Sequence, residues 1–441
     1  MAGVSELEPL IESFDSAAGY LDWARFGPLS PSVRAEMHAD AELLGSGRTA
    51  GIDLVGARVG EARELLARLM GVPDDEIVLQ PSTTTGLAHA MFGLEGTVIV
   101  PAQDFPSVRI TAHRAAAARG VLSVREIDPP EGIMTTDAIV EALTDDVTAV
   151  ALSVVDFRTG ALADLAEIRD AIEGRLLIVD AMQAFGVVDV DWSLADVVAG
   201  NGYKWLRAGR GTGFARFSPF ARERIAPVLS GISGMSGDAT SLGLPGVRDG
   251  AAAYSIAPSD PLAASRLAAS LRELEDVGVA AVADEVRARA RDVFHLADRY
   301  EVPVITPRDA HAGIVALAPD DPSALAAALA NHGVTVTARG ATIRVSAHVG
   351  TGADSLLLLG DALADAAAAG RVVAVEYARD ELGGAPDVPD IITIEVDDLF
   401  AAAPLESASD EANDTGEVVI AVVDGETDDA DSDTARPSTQ I

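Results

Sequence analysis

The sequence predicts an α/β protein: a mostly parallel sheet covered by helices on both faces, followed by a smaller α+β unit. Two observations carry this. Between residues 76 and 217, short and continuously apolar runs alternate with helical patterns, which is how strands buried on both faces read. A loop-rich stretch over 218–260 then separates this alternation from a second, differently built group of helices and strands.

Taken in order, residues 1–45 read as an N-terminal arm. The Gly27-Pro28 and Ser30-Pro31 steps mark turns, and Ser30 is a cap with proline at the first helical position, so a helix runs to about Leu44. Val55, Val59, Ala62, Leu65, Leu66 and Leu69 follow helical spacing over 53–70, and Gly71 stops that helix. A short strand over 76–79 feeds Ser82-Thr83-Thr84-Thr85-Gly86, which opens a helix through Phe92. A hydroxyl-rich turn between strand and helix is a ready anion site, because free N–H groups and the positive dipole end face the anion. The same residues also suit an ordinary helix cap. Strands over 97–100, 122–127, 149–154, 176–179, 197–199 and 213–217 then alternate with helices over 109–119, 136–143 and 165–173. Beyond 260 come helices over 261–276 and 279–299. Strands over 313–317, 334–338 and 342–346 follow, with helices over 322–331 and 355–369. The expected division is a large domain over 46–235, a small domain made of 1–45 and 236–375, and a tail over 376–441. From Glu381 onward 17 acidic residues face one arginine, Arg436, so disorder is expected there. Two strand-like runs, over 391–396 and 418–423, leave a docking role open.

Composition narrows the function. The 441 residues contain no cysteine, which removes disulfides, thiolate metal sites and a cysteine nucleophile together. The net charge of -37 disfavours nucleic acid and anionic membrane surfaces as partners. No apolar run approaches the roughly 18 residues of a membrane helix, and no secretory signal opens the chain, so a cytoplasmic location is expected. The seven histidines are dispersed without paired ligand spacing, so no metal site is expected.

One stretch stands out, Asn201-Gly202-Tyr203-Lys204-Trp205-Leu206. Lys204 is the only lysine, and the other 31 basic residues are arginine. Arginine serves for charge and ion pairing but cannot lose its proton, so it cannot act as an amine nucleophile. A lone lysine therefore points to a site that needs a free amine, above all an imine with a carbonyl group. Asp180 lies 24 residues earlier at the end of an apolar strand, with Gln183 just beyond it. A buried aspartate is costly unless paired, and a pyridinium nitrogen is such a partner. Gln183 suits a ring oxygen, Phe105 a ring face, and Tyr203 with Thr83 and Thr84 a phosphate. Each residue also has an ordinary structural reading, as cap, surface or core; their conjunction with a unique lysine favours the chemical one.

With these motifs in hand, the chain resembles the class V aminotransferase family of pyridoxal phosphate enzymes over roughly residues 14–370. The family includes cysteine desulfurases, kynureninases and isopenicillin N epimerase-like proteins. The resemblance rests on Ser82-Thr83-Thr84-Thr85-Gly86, Val179-Asp180-Ala181-Met182-Gln183 and Gly202-Tyr203-Lys204-Trp205. Asp156-Phe157-Arg158-Thr159-Gly160 and Arg344-Val345-Ser346-Ala347-His348 support it. It implies fold type I, with a mostly parallel seven-stranded-type sheet, and pyridoxal 5'-phosphate as cofactor. Lys204 would hold the cofactor aldehyde as an imine. Asp180 would face the ring nitrogen, Gln183 the ring oxygen, and Thr83 and Thr84 the phosphate. Arg344 matches the family arginine that grips the substrate carboxylate. A homodimer acting on a small amino acid is implied, with transamination favoured. Cysteine-independent C–S or C–C lyase chemistry and a non-catalytic binding module are the alternatives. The chain departs from the family pattern at Gly243-Leu244-Pro245, where a threonine is usual, and at Val349-Gly350, where tyrosine and asparagine often stand.

Overall fold

The apolar runs form one sheet in the computed structural model, which describes residues 4–380 apart from 130, 131, 238, 239, 241 and 242. Its strands are β1 (Ile77–Gln80), β2 (Gly96–Pro101), β3 (Leu122–Ile127), β4 (Val147–Ser153), β5 (Leu176–Asp180), β6 (Val197–Asn201) and β7 (Gly213–Phe217). They lie in the order β1-β7-β6-β5-β4-β2-β3, and β7 alone runs against its neighbours. Successive residues of a strand point to opposite faces. In β4, Ala149 and Ala151 enter one core while Val150 and Leu152 enter the other, which is why the run is apolar throughout.

Helices cover both faces; α1 (Val4–Glu12) opens the described chain, α7 (Thr136–Ala142) and α8 (Leu165–Ala171) precede β4 and β5, and α9 (Pro219–Arg222) follows β7. α4 (Arg58–Met70) and α10 (Pro261–Val277) contribute Leu65, Leu66, Leu267 and Leu271 to one core. α5 (Thr83–Gly93) and α6 (Pro106–Arg119) contribute Leu87, Met91, Val108 and Ala112 to the other. Gly86 sets how closely α5 lies on the sheet: a Cβ there would stand 3.1 Å from that of Ala215 and 3.2 Å from that of Ala199. Ser30 caps α2 (Pro31–Gly45), its hydroxyl accepting from Val33 N. The single helix expected over 53–70 is two, α3 (Thr49–Gly56) and α4, broken at Gly56-Ala57 where the weakest ordinary helix former stands.

The later residues build a three-stranded antiparallel sheet in the order β8-β10-β9, from β8 (Ile314–Leu317), β9 (Thr337–Arg339) and β10 (Thr342–Ser346). The strand expected over 334–338 begins later because Thr335 bridges to Tyr20 of the N-terminal arm instead. Asp22 of the same arm bridges to Ser346. α11 (Val279–Arg299) and α12 (Pro322–Asn331) close this core, and the last helix, Ala353–Asp380, runs eleven residues past its expected end. Residues 381–441, with both strand-like runs of the acidic tail, lie outside the described residues. Among the described residues no helix is long and apolar enough to cross a membrane.

The edge strand β1 is tied down by a buried ion pair. Arg216 of β7 reaches Glu76 at 2.7 Å and donates to the carbonyls of Trp192 and Ala195 at 2.8 and 2.5 Å. Glu76→Ala strands this guanidinium without a counter-charge and is expected to cost about 3–5 kcal/mol, read as a fall in the urea midpoint. A midpoint shift equivalent to under ~1 kcal/mol would show that the pair does not hold the edge.

Candidate active site

The carboxyl ends of β4, β5 and β6 open onto a cavity of about 420 Å³, the position where open α/β sheets take ligands. Seven of the eight side chains singled out in the sequence line it: Thr83, Thr84, Phe105, Asp180, Gln183, Tyr203 and Lys204. Arg344 does not.

Lys204 sits in a turn closed from several sides. Gly27 N donates to Tyr203 O at 2.9 Å, and Ala208 N to Gly202 O at 2.8 Å. A Cβ on Gly27 would lie 1.9 Å from Lys204 O, so only glycine allows the arm to pass there. The next residue but two, Arg207, adopts φ +56°, a left-handed conformation held by its guanidinium on Ser13 and Glu273. The side chain of Lys204 is buried, with Nζ 5.8 Å from the ring centre of Phe105 and 5.7 Å from that of Tyr203. Burial, with Arg344 adding to it, pulls the amine below the ordinary lysine range.

Asp180 is the last residue of β5, beside β6 and buried. Its Oδ1 accepts from Met182 N at 2.8 Å, and among the described residues its second oxygen has no hydrogen-bond partner. Burial pushes this carboxyl well up, with Asp104 nearby adding to the rise. Gln183 is held at both ends of its amide, donating to Ala24 O at 3.0 Å and accepting from Trp205 Nε1 at 2.9 Å. It thereby ties the arm to the lysine turn, and one amide hydrogen stays uncommitted.

Phe105 precedes Pro106 at the start of α6 and meets Phe157 edge-on, ring centres 5.1 Å apart. Asp104, three residues past the end of β2, fixes it. Its carboxylate accepts from Phe105 N at 2.6 Å and from Ser153 N and Oγ at 2.7 and 2.5 Å, joining the ends of β2 and β4. At the other end, Ser82 is the cap of α5, accepting from Thr85 N at 3.2 Å. That leaves the leading N–H groups of the helix toward the cavity. Thr84 Oγ1 pairs with Ser107 Oγ at 2.7 Å, and Thr83 Oγ1 donates to Met182 Sδ at 3.4 Å. Ser82 is thus the cap, while the Thr83 and Thr84 hydroxyls contact Met182 and Ser107.

Two further residues escaped the sequence reading. Arg210 lines the cavity beside Ser82 and Gly211, its guanidinium 4.7 Å from the Tyr203 ring centre. The local signal was an arginine between glycines six residues after the lysine. Asn201 accepts from Tyr203 N at 3.3 Å and Thr212 Oγ1 at 3.1 Å, shaping the turn from within.

A family model, "Aminotransferase class-V", matches residues 49–359, well over half of the chain. The chain belongs to the class V aminotransferase family. Kynureninase from Deinococcus radiodurans is 28% identical over 257 residues, 55% of this chain and 61% of that protein. Isopenicillin N epimerase from Streptomyces clavuligerus is 30% identical over 185 residues, 39% and 46% of the two chains. A probable cysteine desulfurase from Aeropyrum pernix is 30% identical over 184 residues, 39% and 44%. The chain thus spans less than two thirds of the length of each of these relatives. Among solved structures, a C-DES mutant with glycine covalently linked to its PLP cofactor superposes with a TM-score of 0.73 at 20% identity, covering 80% of this chain and 97% of that one. The apo cysteine desulfurase from Thermococcus onnurineus NA1 gives 0.69 at 21%, covering 78% and 93%. These likenesses establish fold type I.

Pyridoxal 5'-phosphate is the cofactor of this class V family, and the donor set fits it. A buried carboxylate with one open oxygen suits a protonated ring nitrogen. A helix start with two hydroxyls and a nearby arginine suits a phosphate, and a buried amine suits an aldehyde.

His348 supports the lysine turn of this class V chain from behind. Its Nε2 donates to Trp205 O at 2.8 Å, its Nδ1 accepts from Val349 N at 2.8 Å, and burial holds the ring neutral, its pKa down to about 3. Because that lies below the roughly 6.5 of an unfolded histidine, the unfolded chain takes up a proton that the folded one refuses. The resulting stability is complete above about pH 6.5 and drains away as the pH falls toward 3. His89, also buried and neutral, adds to the same window. His348→Gln is therefore expected to flatten part of the fall in urea midpoint between about pH 7 and 5. An unchanged pH dependence would show that His348 is not held neutral by burial.

Proposed function

We propose that the protein is a pyridoxal phosphate enzyme that acts on a small α-amino acid, with Lys204 moving the Cα proton and the bond to a Cβ substituent being cleaved. The observation that carries this is the chain's single lysine, buried at the end of β6, its amine over the Phe105 ring in the cavity that Asp180 also lines. When bound, the cofactor supplies an aldehyde that takes up the substrate amine and a ring that draws electrons away from Cα.

The protein's own groups do the rest. The uncommitted Asp180 oxygen would keep a proton on the ring nitrogen. Phe105 would cover a ring face and, with Phe157, keep water from one side of the cavity. The first turn of α5 with Thr83 and Thr84, the Tyr203 hydroxyl and Arg210 would hold the phosphate, and the uncommitted amide hydrogen of Gln183 would serve the ring oxygen. Lys204, whose amine burial keeps from charging fully, accepts the Cα proton and returns it at a neighbouring atom.

Kynureninase and cysteine desulfurase among the relatives support cleavage beyond Cα. None of the three relatives described above is named an aminotransferase, so transamination, preferred on the sequence alone, becomes the second reading. With no cysteine in the chain, a sulfur substituent would leave directly and not be carried by the protein. A homodimer belongs to the same reading. A second cavity of about 450 Å³ shares Pro81 and Gly211 with the first, beside the phosphate end, where a partner subunit has room to complete the site.

The test is to incubate the cofactor-loaded protein in D2O with L-alanine and with L-amino acids bearing a leaving group at Cβ. Deuterium at Cα of alanine, lost in Lys204→Ala, is expected. So is release of the Cβ group with alanine, or with pyruvate and ammonia, while the cofactor stays as the pyridoxal form. Keto acid formed with equimolar pyridoxamine phosphate would replace cleavage by transamination, and no Cα exchange with any amino acid would overturn both.

A further inference from the structure

Two buried carboxyls meet at the floor of the cavity. Asp180 ends β5, and Ser153, its neighbour in the strand pairing, ends β4. Paired residues of neighbouring strands point to the same face, and both of these line the cavity. Ser153 gives its N–H and its hydroxyl to Asp104, at 2.7 and 2.5 Å, and Phe105 N adds a third donor at 2.6 Å. Asp104 is therefore separated from Asp180 by one residue, and it lies buried behind the lining. The two carboxyls are provided for unequally. Among the described residues Asp104 accepts three hydrogen bonds, whereas Asp180 accepts one, from Met182 N.

Two carboxylates bridged by one residue are costly to keep charged together away from water, and the proton goes to the one with fewer donors. Burial pushes both groups up; three donors oppose the rise at Asp104 and one at Asp180. The charge thus settles on Asp104 and the proton on the Asp180 side. The other charged groups around the pair do not undo this. Asp156, which also faces Asp104, is held by the Arg158 guanidinium at 3.2 Å and by the N–H groups of Arg158 and Thr159. Lys204, past the end of β6, favours the ionised form of Asp180, but burial keeps its own amine from charging fully.

We propose that Asp104 is a positioning residue for the cofactor ring: its charge, standing behind Asp180 across Ser153, retains the proton that Asp180 shares with the ring nitrogen, while its hydrogen bonds set Phe105 against the ring face. This rests on the function proposed above and deepens it. A protonated ring nitrogen is what lets the ring draw electrons away from Cα, so Asp104 acts on the reaction without touching the cofactor.

The test reads the ring nitrogen itself and needs no knowledge of the natural substrate. The protein is loaded with pyridoxal phosphate carrying the heavy nitrogen isotope in its ring. The nitrogen chemical shift, which separates the protonated from the neutral ring, is then followed against pH. Removing a nearby negative charge disfavours the protonated form. In Asp104→Asn the midpoint of proton loss is therefore expected about one pH unit below that of the wild type, a tenfold fall in proton affinity. Asp104→Ser, which removes the charge with a different side chain, is expected to shift it the same way. Ser153→Ala keeps the charge and deletes one hydrogen bond, and is expected to leave the midpoint nearly in place. A structural role alone would not produce that contrast. The same midpoint in the wild type and the Asp104 variants, a ring nitrogen whose protonation never changes in any of them, or a Ser153→Ala shift as large as that of Asp104→Asn would overturn the assignment alone. A wild type that does not take up the labelled cofactor would overturn the cofactor-site reading together with it.

Discussion

An amine and a carboxylate buried at the ends of two adjacent strands, Lys204 and Asp180, set the terms for everything around them. Neither charge is tolerated in that position without a partner, and the chain supplies neither with a full one. Burial drives the amine down and the carboxyl up, so both groups are poised for a ligand able to meet both. The surrounding structure is support for that arrangement. Gly27, Gln183, His348 and Arg207 hold the lysine turn from four directions, and Asp104 joins two strand ends to place the ring of Phe105. Such over-determination is what fixes a reactive side chain on a loop to the tolerance that chemistry needs.

The N-terminal arm is the less expected part of this support. Among its described residues none lines the cavity, yet it passes under the lysine turn at Gly27, receives the amide of Gln183 at Ala24 and meets Arg344 through Asp22. It also bridges to the three-stranded sheet at Thr335 and Ser346. The arm therefore couples the cofactor end of the site to the sheet that carries Arg339 and Arg344. A shift of the arm would be felt at both.

Most of the fold was legible because its signals are local. Continuous apolar runs mark strands buried on two faces, and Ser30-Pro31 and Ser82 mark helix starts by their own side chains. The seven side chains that meet in the cavity were legible for a different reason: strand ends and the helix start after β1 converge at one edge of any such sheet. What escaped depends on contacts distant in sequence. The strand expected over 334–338 is shortened because Tyr20 competes for Thr335, some 315 positions away. Arg344 reads as a carboxylate receptor from its motif, and its contact with Asp22 of the N-terminal arm is visible only in the fold. Arg210 and Asp104 carried no motif beyond their neighbours, and their importance is visible only once the cavity is assembled.

The proposed function depends above all on the lone lysine being the attachment point of pyridoxal phosphate. The direct measurement is borohydride reduction of the purified protein after incubation with the cofactor, followed by peptide mass spectrometry. With one lysine in 441 residues, the assignment admits no ambiguity among side chains. A phosphopyridoxyl group is expected on the peptide that contains Lys204, with its loss in Lys204→Arg. A protein that gains no such mass with excess cofactor present would contradict it.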